Sequence, residues 1–208
     1  MSDDAPKIPV ARLDEPAPLF EARSTKGTVR LSDFAGRWVL LFAHPADFTP
    51  VCTSEFVALA RASERFEALD CALIGLSADS VYSHIAWFDR IEADFGIRPQ
   101  FPLLEDPSLA IATSYGMIHP GASSTATVRS VFVIDPQGIL KAMVHYPMEV
   151  GRSVDELLRL VSALRDTAGN DGVAPADWRE GEPLLASAPG TDEESVAAGP
   201  AWYAGGVR

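Results

Sequence analysis

Cys52 lies in the stretch His44-Pro-Ala-Asp-Phe-Thr-Pro-Val-Cys-Thr53, between an apolar run and an amphipathic one. The apolar run, Trp38-Val-Leu-Leu-Phe-Ala43, has the length of a strand buried on both faces. In the amphipathic run Phe56, Leu59, Ala60, Ser63 and Phe66 recur at helical spacing, while Glu55, Arg61, Glu64, Arg65 and Glu67 fill the other positions, which predicts a helix. A thiol in the first turn of a helix faces unpaired backbone N–H groups and the positive end of the macrodipole, and both favour the nucleophilic thiolate. Pro50, with its fixed φ and missing N–H, suits a helix entrance. Thr49, three residues before Cys52, can turn its hydroxyl toward the same pocket. The chemistry these residues could do is that of a cysteine nucleophile.

The remaining candidates are weaker. Cys71 opens Cys71-Ala-Leu-Ile-Gly-Leu-Ser77, an apolar run that reads as a core strand, so it is expected to be an inert packed thiol. His44 has two readings, lining the pocket or packing at the strand end. His84, His119 and His145 read as surface or loop residues, and the four histidines and two cysteines match none of the usual zinc spacings. No metal and no cofactor is expected. The chain holds no Cys-x-x-Cys, which disfavours a disulfide oxidoreductase. Arg129 taken alone reads as an exposed arginine at a strand end.

The elements that must position Cys52 follow from pattern. Apolar segments near 38–43, 72–77 and 130–134 read as strands, separated by helical patterns near 53–68 and 81–95, an alternation that implies α/β layering. Ser130-Val-Phe-Val-Ile-Asp135 and Ile139-Leu-Lys-Ala-Met-Val-His145 flank Pro136-Gln-Gly138, a turn signal for a β-hairpin. Ser153 can cap a last helix over 154–166, with Glu156 completing a capping box. Beyond Ala168-Gly-Asn-Asp-Gly172 the chain turns to Pro, Gly, Ala and acidic residues, a composition with little core of its own.

Pro45, Thr49 and Cys52 form the pattern Pro-x-x-x-Thr-x-x-Cys, which resembles the active-site signature of the peroxiredoxins. Phe101-Pro-Leu-Leu-Glu-Asp-Pro107, Ala112-Thr-Ser-Tyr-Gly116, Val128-Arg-Ser-Val-Phe-Val-Ile-Asp135 and Gly151-Arg-Ser-Val-Asp-Glu-Leu157 are similar to segments of that family and fall in family order. His44-Pro-Ala-Asp-Phe-Thr-Pro-Val-Cys52 and Val173-Ala-Pro-Ala-Asp-Trp178 are most similar to its one-Cys class. The resemblance implies a thioredoxin-like α/β fold, a central mixed β-sheet flanked by helices, over residues 1–168, with a C-terminal extension over 169–208. It implies a thiol-dependent peroxidase in which Cys52 attacks hydrogen peroxide or an organic hydroperoxide and becomes a sulfenic acid. Arg129 would stabilise the thiolate and the polarising O–O unit, Thr49 would hydrogen-bond the peroxide or the sulfur, and Pro45 would wall the pocket from water. Arg152 matches a second, outer arginine.

With no cysteine after Cys71, the resemblance favours the one-Cys mechanism, re-reduced by an external thiol such as thioredoxin or glutathione. It also implies a homodimer or a larger ring, in which the extension packs near a partner's active site with Trp178, Trp202 and Tyr203 as apolar anchors. The other reading of the extension is a solvated tail. The other reading of Cys52 is a non-enzymatic peroxide sensor or redox-switched oligomer.

Composition bounds these readings. With 208 residues, 47% of them hydrophobic, the chain can bury one sizeable core. A formal net charge of -12 and a pI near 4.7 argue against a general nucleic-acid or anionic-membrane binder. The start Met1-Ser-Asp-Asp4 has no basic-then-apolar leader, and two cysteines, one needed as a free thiol, fit a reducing compartment, so the expected location is cytoplasmic. Some mammalian one-Cys members carry a lipase-like Gly-x-Ser-x-Gly element and a histidine upstream of the peroxidatic site. Here Arg37 stands for that serine and Ser32 for the histidine. The purified protein is therefore expected to hydrolyse no phospholipid, and release of labelled fatty acid from phospholipid vesicles would contradict this.

Overall fold

The structure, a computed structural model, describes residues 10–204. In chain order its elements are β1 (Glu21–Ser24), β2 (Gly27–Arg30), a 3₁₀ turn (Leu31–Phe34), β3 (Trp38–Ala43), α1 (Pro50–Arg61), α2 (Ser63–Ala68), β4 (Cys71–Ser77), α3 (Val81–Phe95), β5 (Leu103–Glu105), α4 (Ala110–Ser114), β6 (Arg129–Ile134), β7 (Leu140–Tyr146), α5 (Val154–Gly169) and α6 (Asp192–Ala198). The strands form one mixed sheet in the order β2-β1-β5-β4-β3-β6-β7. β3 runs parallel to β4, and β4 to β5, while β6 lies antiparallel to both β3 and β7. This is the mixed sheet with flanking helices expected from the sequence.

The central strands β3, β4 and β6 are buried along their whole length, and strand alternation sends their side chains to two cores. Val39, Leu41 and Ala43 join Ile74, Leu76, Phe132, Ile134, Phe20 and Tyr115 on one face. On the other, Phe42 meets Phe56 of α1 edge-on at 5.4 Å and Phe101 at 5.5 Å, and Phe56 lies 4.6 Å from Trp87 of α3. Burying one such side chain contributes about 1.5–3 kcal/mol, so these contacts hold α1 against the sheet. The approach is close enough that Gly75 of β4 has no room for a Cβ, which would sit 2.9 Å from Leu103 Cδ1 and 3.2 Å from Phe42 Cζ.

Several elements depart from the sequence expectation. The single helix over 53–68 is two, because the chain breaks at Ala62, whose N–H reaches both Ala58 and Leu59 carbonyls. α1 also begins earlier, at Pro50. β1, β2 and β5 carry no sequence signal: the first two are short and largely exposed, and β5 has 3 residues. The β6–β7 hairpin forms as its turn residues predict, with Gly138 at φ +80 and the Asp135 carboxylate accepting from the N–H groups of Gln137 and Ile139.

The chain divides into two compact units at Val154/Asp155. In the second, α5 runs on to Gly169, past the predicted end at 166. Val173 and Leu185 exchange backbone hydrogen bonds of 2.9 Å, and Trp178 is fully buried with its indole N–H on the Glu182 carbonyl. Trp178 is thus taken up within its own chain and is not free to anchor a partner, whereas Trp202 and Tyr203 are exposed. No helix among the described residues is long and apolar enough to cross a membrane.

Candidate active site

β3 leaves the sheet at Ala43, and His44 still reaches Leu76 through its N–H. Residues 45–49 then turn the chain into α1, with Phe48 in the left-handed region at φ 58 and Thr49 extended as the N-cap. Pro50 is the first helical residue, so Cys52 falls in the first turn, as the sequence expects. A bulky residue at positive φ costs about 1–2 kcal/mol and persists only where neighbours hold it.

Three charged groups from distant segments meet behind the sulfur. Arg129 donates from Nη1 to Cys52 Sγ at 3.3 Å and to Glu55 Oε2 at 2.7 Å, while its Nε and Nη2 are held by the Met148 carbonyl at 3.0 and 2.8 Å. Arg152 grips Glu55 through its backbone N–H, Nε and Nη2, each at 2.8 Å, and its Nη1 bonds the carbonyls of Ala43 and Ser130. The sheet register explains the meeting. Phe42 pairs with Val131 in antiparallel strands, so Arg129 at the head of β6 lies beside the end of β3. Arg129 is therefore buried, not the exposed strand-end residue its position alone would imply.

Glu55 is the residue that sequence reasoning missed. Its place off the apolar stripe of α1 reads as a polar face, yet it is only 4% exposed. The available signal was its helical offset of one turn from Cys52, which puts both on one side of α1. Burial opposes the charged carboxylate, but hydrogen bonds and charge from Arg152, then charge from Arg129, hold its pKa below the ordinary value. Two guanidinium groups face this one carboxylate, and the uncompensated positive charge lies beside the sulfur.

Of the other predicted residues, Thr49 and Pro45 flank the loop and are partly buried. The Thr49 hydroxyl donates to the Ala46 carbonyl at 3.0 Å and makes no hydrogen bond to the sulfur. Cys52 itself has 0% exposure, where the sequence reading expects a recess that admits peroxide. Cys71 is buried at the head of β4, where burial pushes its thiol up to about 12. It pairs with Trp38, at the far end of β3 from Ala43, a distance of roughly 16 Å along the strand.

The loop before Cys52 is fastened by a second buried cluster. His44 Nε2 and His84 Nδ1 each lie 2.8 Å from one oxygen of Asp47, and His84 Nε2 is 3.2 Å from the Leu104 carbonyl. His84 is fully buried on α3, not the surface or loop residue predicted, because its neighbours Val81, Trp87 and Phe88 set the buried side of the helix. His44 packs 4.8 Å from Phe56 and 5.2 Å from Trp87. Asp79 accepts from the Asp47 N–H and the Ser77 hydroxyl. His44, Asp47 and Asp79 bring potential metal-ligand atoms within 4.8 Å of one another, but hydrogen bonds already engage His44 Nε2 and both carboxylates, so the donor set reads as a protein network.

A thiol at a helix start, backed by a guanidinium on a mixed sheet of this order, defines a cysteine-dependent enzyme of the thioredoxin-like class. Residues 13–143 match the AhpC/TSA family. A peroxiredoxin of Aquifex aeolicus is 55% identical over 173 residues, covering 82% of this chain and 78% of the relative. Peroxiredoxin 2 of Caldanaerobacter subterraneus is 43% identical over 192 residues, 92% of this chain and 87% of the relative. Among solved structures, a cysteine-to-serine mutant of peroxiredoxin 6 of Arenicola marina superposes with a TM-score of 0.81 at 35% identity, covering 88% of this chain and 86% of that one. The yeast mitochondrial 1-Cys peroxiredoxin gives 0.80 at 36% identity, with 85% and 87% covered. The chain belongs to the AhpC/TSA family, the peroxiredoxins, and is a thiol peroxidase.

Removing one partner of a buried ion cluster costs about 3–5 kcal/mol, because the others are left uncompensated. Glu55→Gln is expected to lose stability on that scale at pH 7. Because the folded pKa of Glu55 is depressed, its contribution is complete above the unfolded value of about 4.3 and fades as pH falls through the folded one. Urea titrations should show the gap between wild type and variant narrowing below about pH 4, and a gap independent of pH would contradict the assigned ionisation.

Proposed function

We propose that Cys52 is the peroxidatic nucleophile and that Arg129, Thr49 and Pro45 complete the site. The observation that carries this reading is the 3.3 Å contact from Arg129 Nη1 to Cys52 Sγ, with the rest of the guanidinium locked on Met148 and Glu55. The thiolate attacks the terminal oxygen of a hydroperoxide. An S–O bond forms, the O–O bond breaks, and its electron pair leaves on water or an alcohol after protonation, giving Cys52 sulfenic acid. Arg129 stabilises charge on sulfur and on the departing oxygen. Because the Thr49 proton is committed to Ala46, its oxygen keeps a lone pair to accept the peroxide O–H. Pro45 and Thr49 move aside to admit substrate, since Cys52 is covered at rest.

Acidity alone is too small a lever. Lowering the pKa of a cysteine from about 8.5 to about 6 raises the thiolate fraction at pH 7 only about thirtyfold, and nucleophilicity falls with it. The larger share must come from donors placed around the breaking O–O bond.

The sulfenic acid is reduced by an external thiol in a one-Cys cycle: the thiol displaces water to form a mixed disulfide, and a second thiol releases Cys52. The position of Cys71 supports this, since a disulfide needs Cα atoms within about 7 Å. The work on the yeast relative names glutathione/thioredoxin systems, and either is the reductant expected here, in a reducing compartment such as the cytoplasm. The active form is a homodimer or a ring of dimers, with Trp202 and Tyr203 as exposed apolar contacts.

Cys52→Ser is expected to abolish peroxide consumption. Arg129→Ala should slow oxidation, followed by stopped flow, by more than its loss of thiolate explains; a rate that tracks thiolate fraction alone would remove the positioning role. A wild type that consumes one equivalent and stops despite added thioredoxin or glutathione would make the protein a sensor. Light scattering of the full chain should give at least a dimer mass, and a monomer at assay concentration would exclude the assembly.

A further inference from the structure

The cluster around Asp47 uses two histidines, and the peroxide reaction as written above uses neither. We propose that His84 is a positioning residue for that reaction, a doubly protonated imidazole on α3 that clamps Asp47 and with it the loop carrying Pro45 and Thr49 to Cys52. The proposal rests on the peroxidase reading and adds the device that aims its loop.

Proton counting carries it. His84 Nδ1 faces Asp47 Oδ2 at 2.8 Å and Nε2 faces the Leu104 carbonyl at 3.2 Å. A carbonyl can only accept, and so can an ionised carboxylate. Burial works against ionised Asp47, yet hydrogen bonds from His44 and His84 hold its pKa well below the usual carboxylate range. Both nitrogens of His84 must then donate, and the ring is an imidazolium. His44 differs: Nε2 donates to Asp47 Oδ1, while Nδ1 has no hydrogen-bond partner. Burial lowers the His44 pKa and keeps that ring neutral. One cation, one anion and one neutral ring leave the buried trio of His44, Asp47 and His84 without net charge, the arrangement with the smallest desolvation penalty.

Acidic groups stand on several sides of His84. Asp47 touches it from the loop, Asp79 stands behind Asp47 through the Asp47 N–H, and Glu105 lies at the end of β5, where its carboxylate accepts from Val81 N–H and from Arg23. His44, 6.3 Å away between ring centres, is the neutral neighbour.

The placement gives the clamp its purpose. One turn beyond His84, Trp87 donates to the Thr53 hydroxyl, which in turn donates to the Thr49 carbonyl. α3 therefore holds the loop before Cys52 through Asp47 and the helix after it through Thr53. Phe48, at φ 58, lies between these two attachments, so releasing either lets the strained turn relax. A displacement of about 1 Å at reacting groups can cost as much as a hundredfold in rate.

Two conservative replacements separate the arms of the clamp. His84→Asn puts an amide donor where Nδ1 meets Asp47, whereas His84→Gln reaches toward the Leu104 side. In stopped-flow oxidation by hydrogen peroxide, His84→Asn should stay within about threefold of wild type, and His84→Gln should fall by roughly tenfold or more at equal thiolate fraction. Nitrogen-15 NMR of the wild-type ring at pH 7 should show both nitrogens protonated. A singly protonated ring, or equal oxidation rates for the Asn and Gln variants, would overturn the proposal. An unreactive wild-type Cys52 would instead sink the peroxidase reading, and the NMR readout stands without peroxide. Should the Gln variant fail to fold, the Asn rate and the ring spectrum still decide.

Discussion

The site depends on one charge imbalance: Arg129 and Arg152 share the carboxylate of Glu55 in a place that water does not reach. Burying an ion carries a penalty of several kcal/mol unless partners and hydrogen bonds replace its hydration, and here nearly every donor of both arginines has an acceptor. What remains is one positive charge more than the carboxylate can balance, presented to Cys52 at 3.3 Å. The same three residues tie α1 to β6 and to the segment after β7, so the group that would stabilise a thiolate is also a cross-link of the tertiary structure. Arg152 spends its donors on Glu55, Ala43 and Ser130; it orients the carboxylate that orients Arg129.

The sheet decides where this can happen. β3 and β4 are parallel and end together, and the loops that leave them meet where the Asp47 N–H bonds Asp79. In α/β sheets the carboxyl ends of parallel strands form such a crevice, because each chain must turn there into a helix whose N-terminus points back at the opening. Cys52 occupies that N-terminus, while Cys71, at the other end of the same pair of strands, is buried where desolvation disfavours its anion. Two cysteines of one chain thus receive different surroundings from their positions along a strand.

Closure of the site has a dynamic consequence. With Cys52 covered and its helix pinned by Phe56, Trp87 and the Asp47 cluster, the proposed cycle requires a local opening for both substrate and reducing thiol. Phe48 holds the strained positive φ of that turn.

Much was legible in the sequence because it is written locally. The run 38–43, the amphipathic helix over 81–95, the Pro136–Gly138 turn and the order Pro45, Thr49, Cys52 lie within single elements or their junctions, where periodicity and turn chemistry act on near neighbours. Glu55 could not be read in this way. Amphipathic patterning assigns a carboxylate to the solvent side, and its partners stand 74 and 97 residues away. His84 has a related cause, since a polar residue is buried only when folding brings its partner to it, here Asp47 from 37 residues away. The sequence by itself determined the candidate nucleophile, the helix start that carries it and the α/β alternation, because backbone propensity and hydrophobic spacing are short-range. Only the tertiary structure decided which charges surround the sulfur and how it is shut from water, because burial of charge is settled by the sum of long-range contacts that replace hydration.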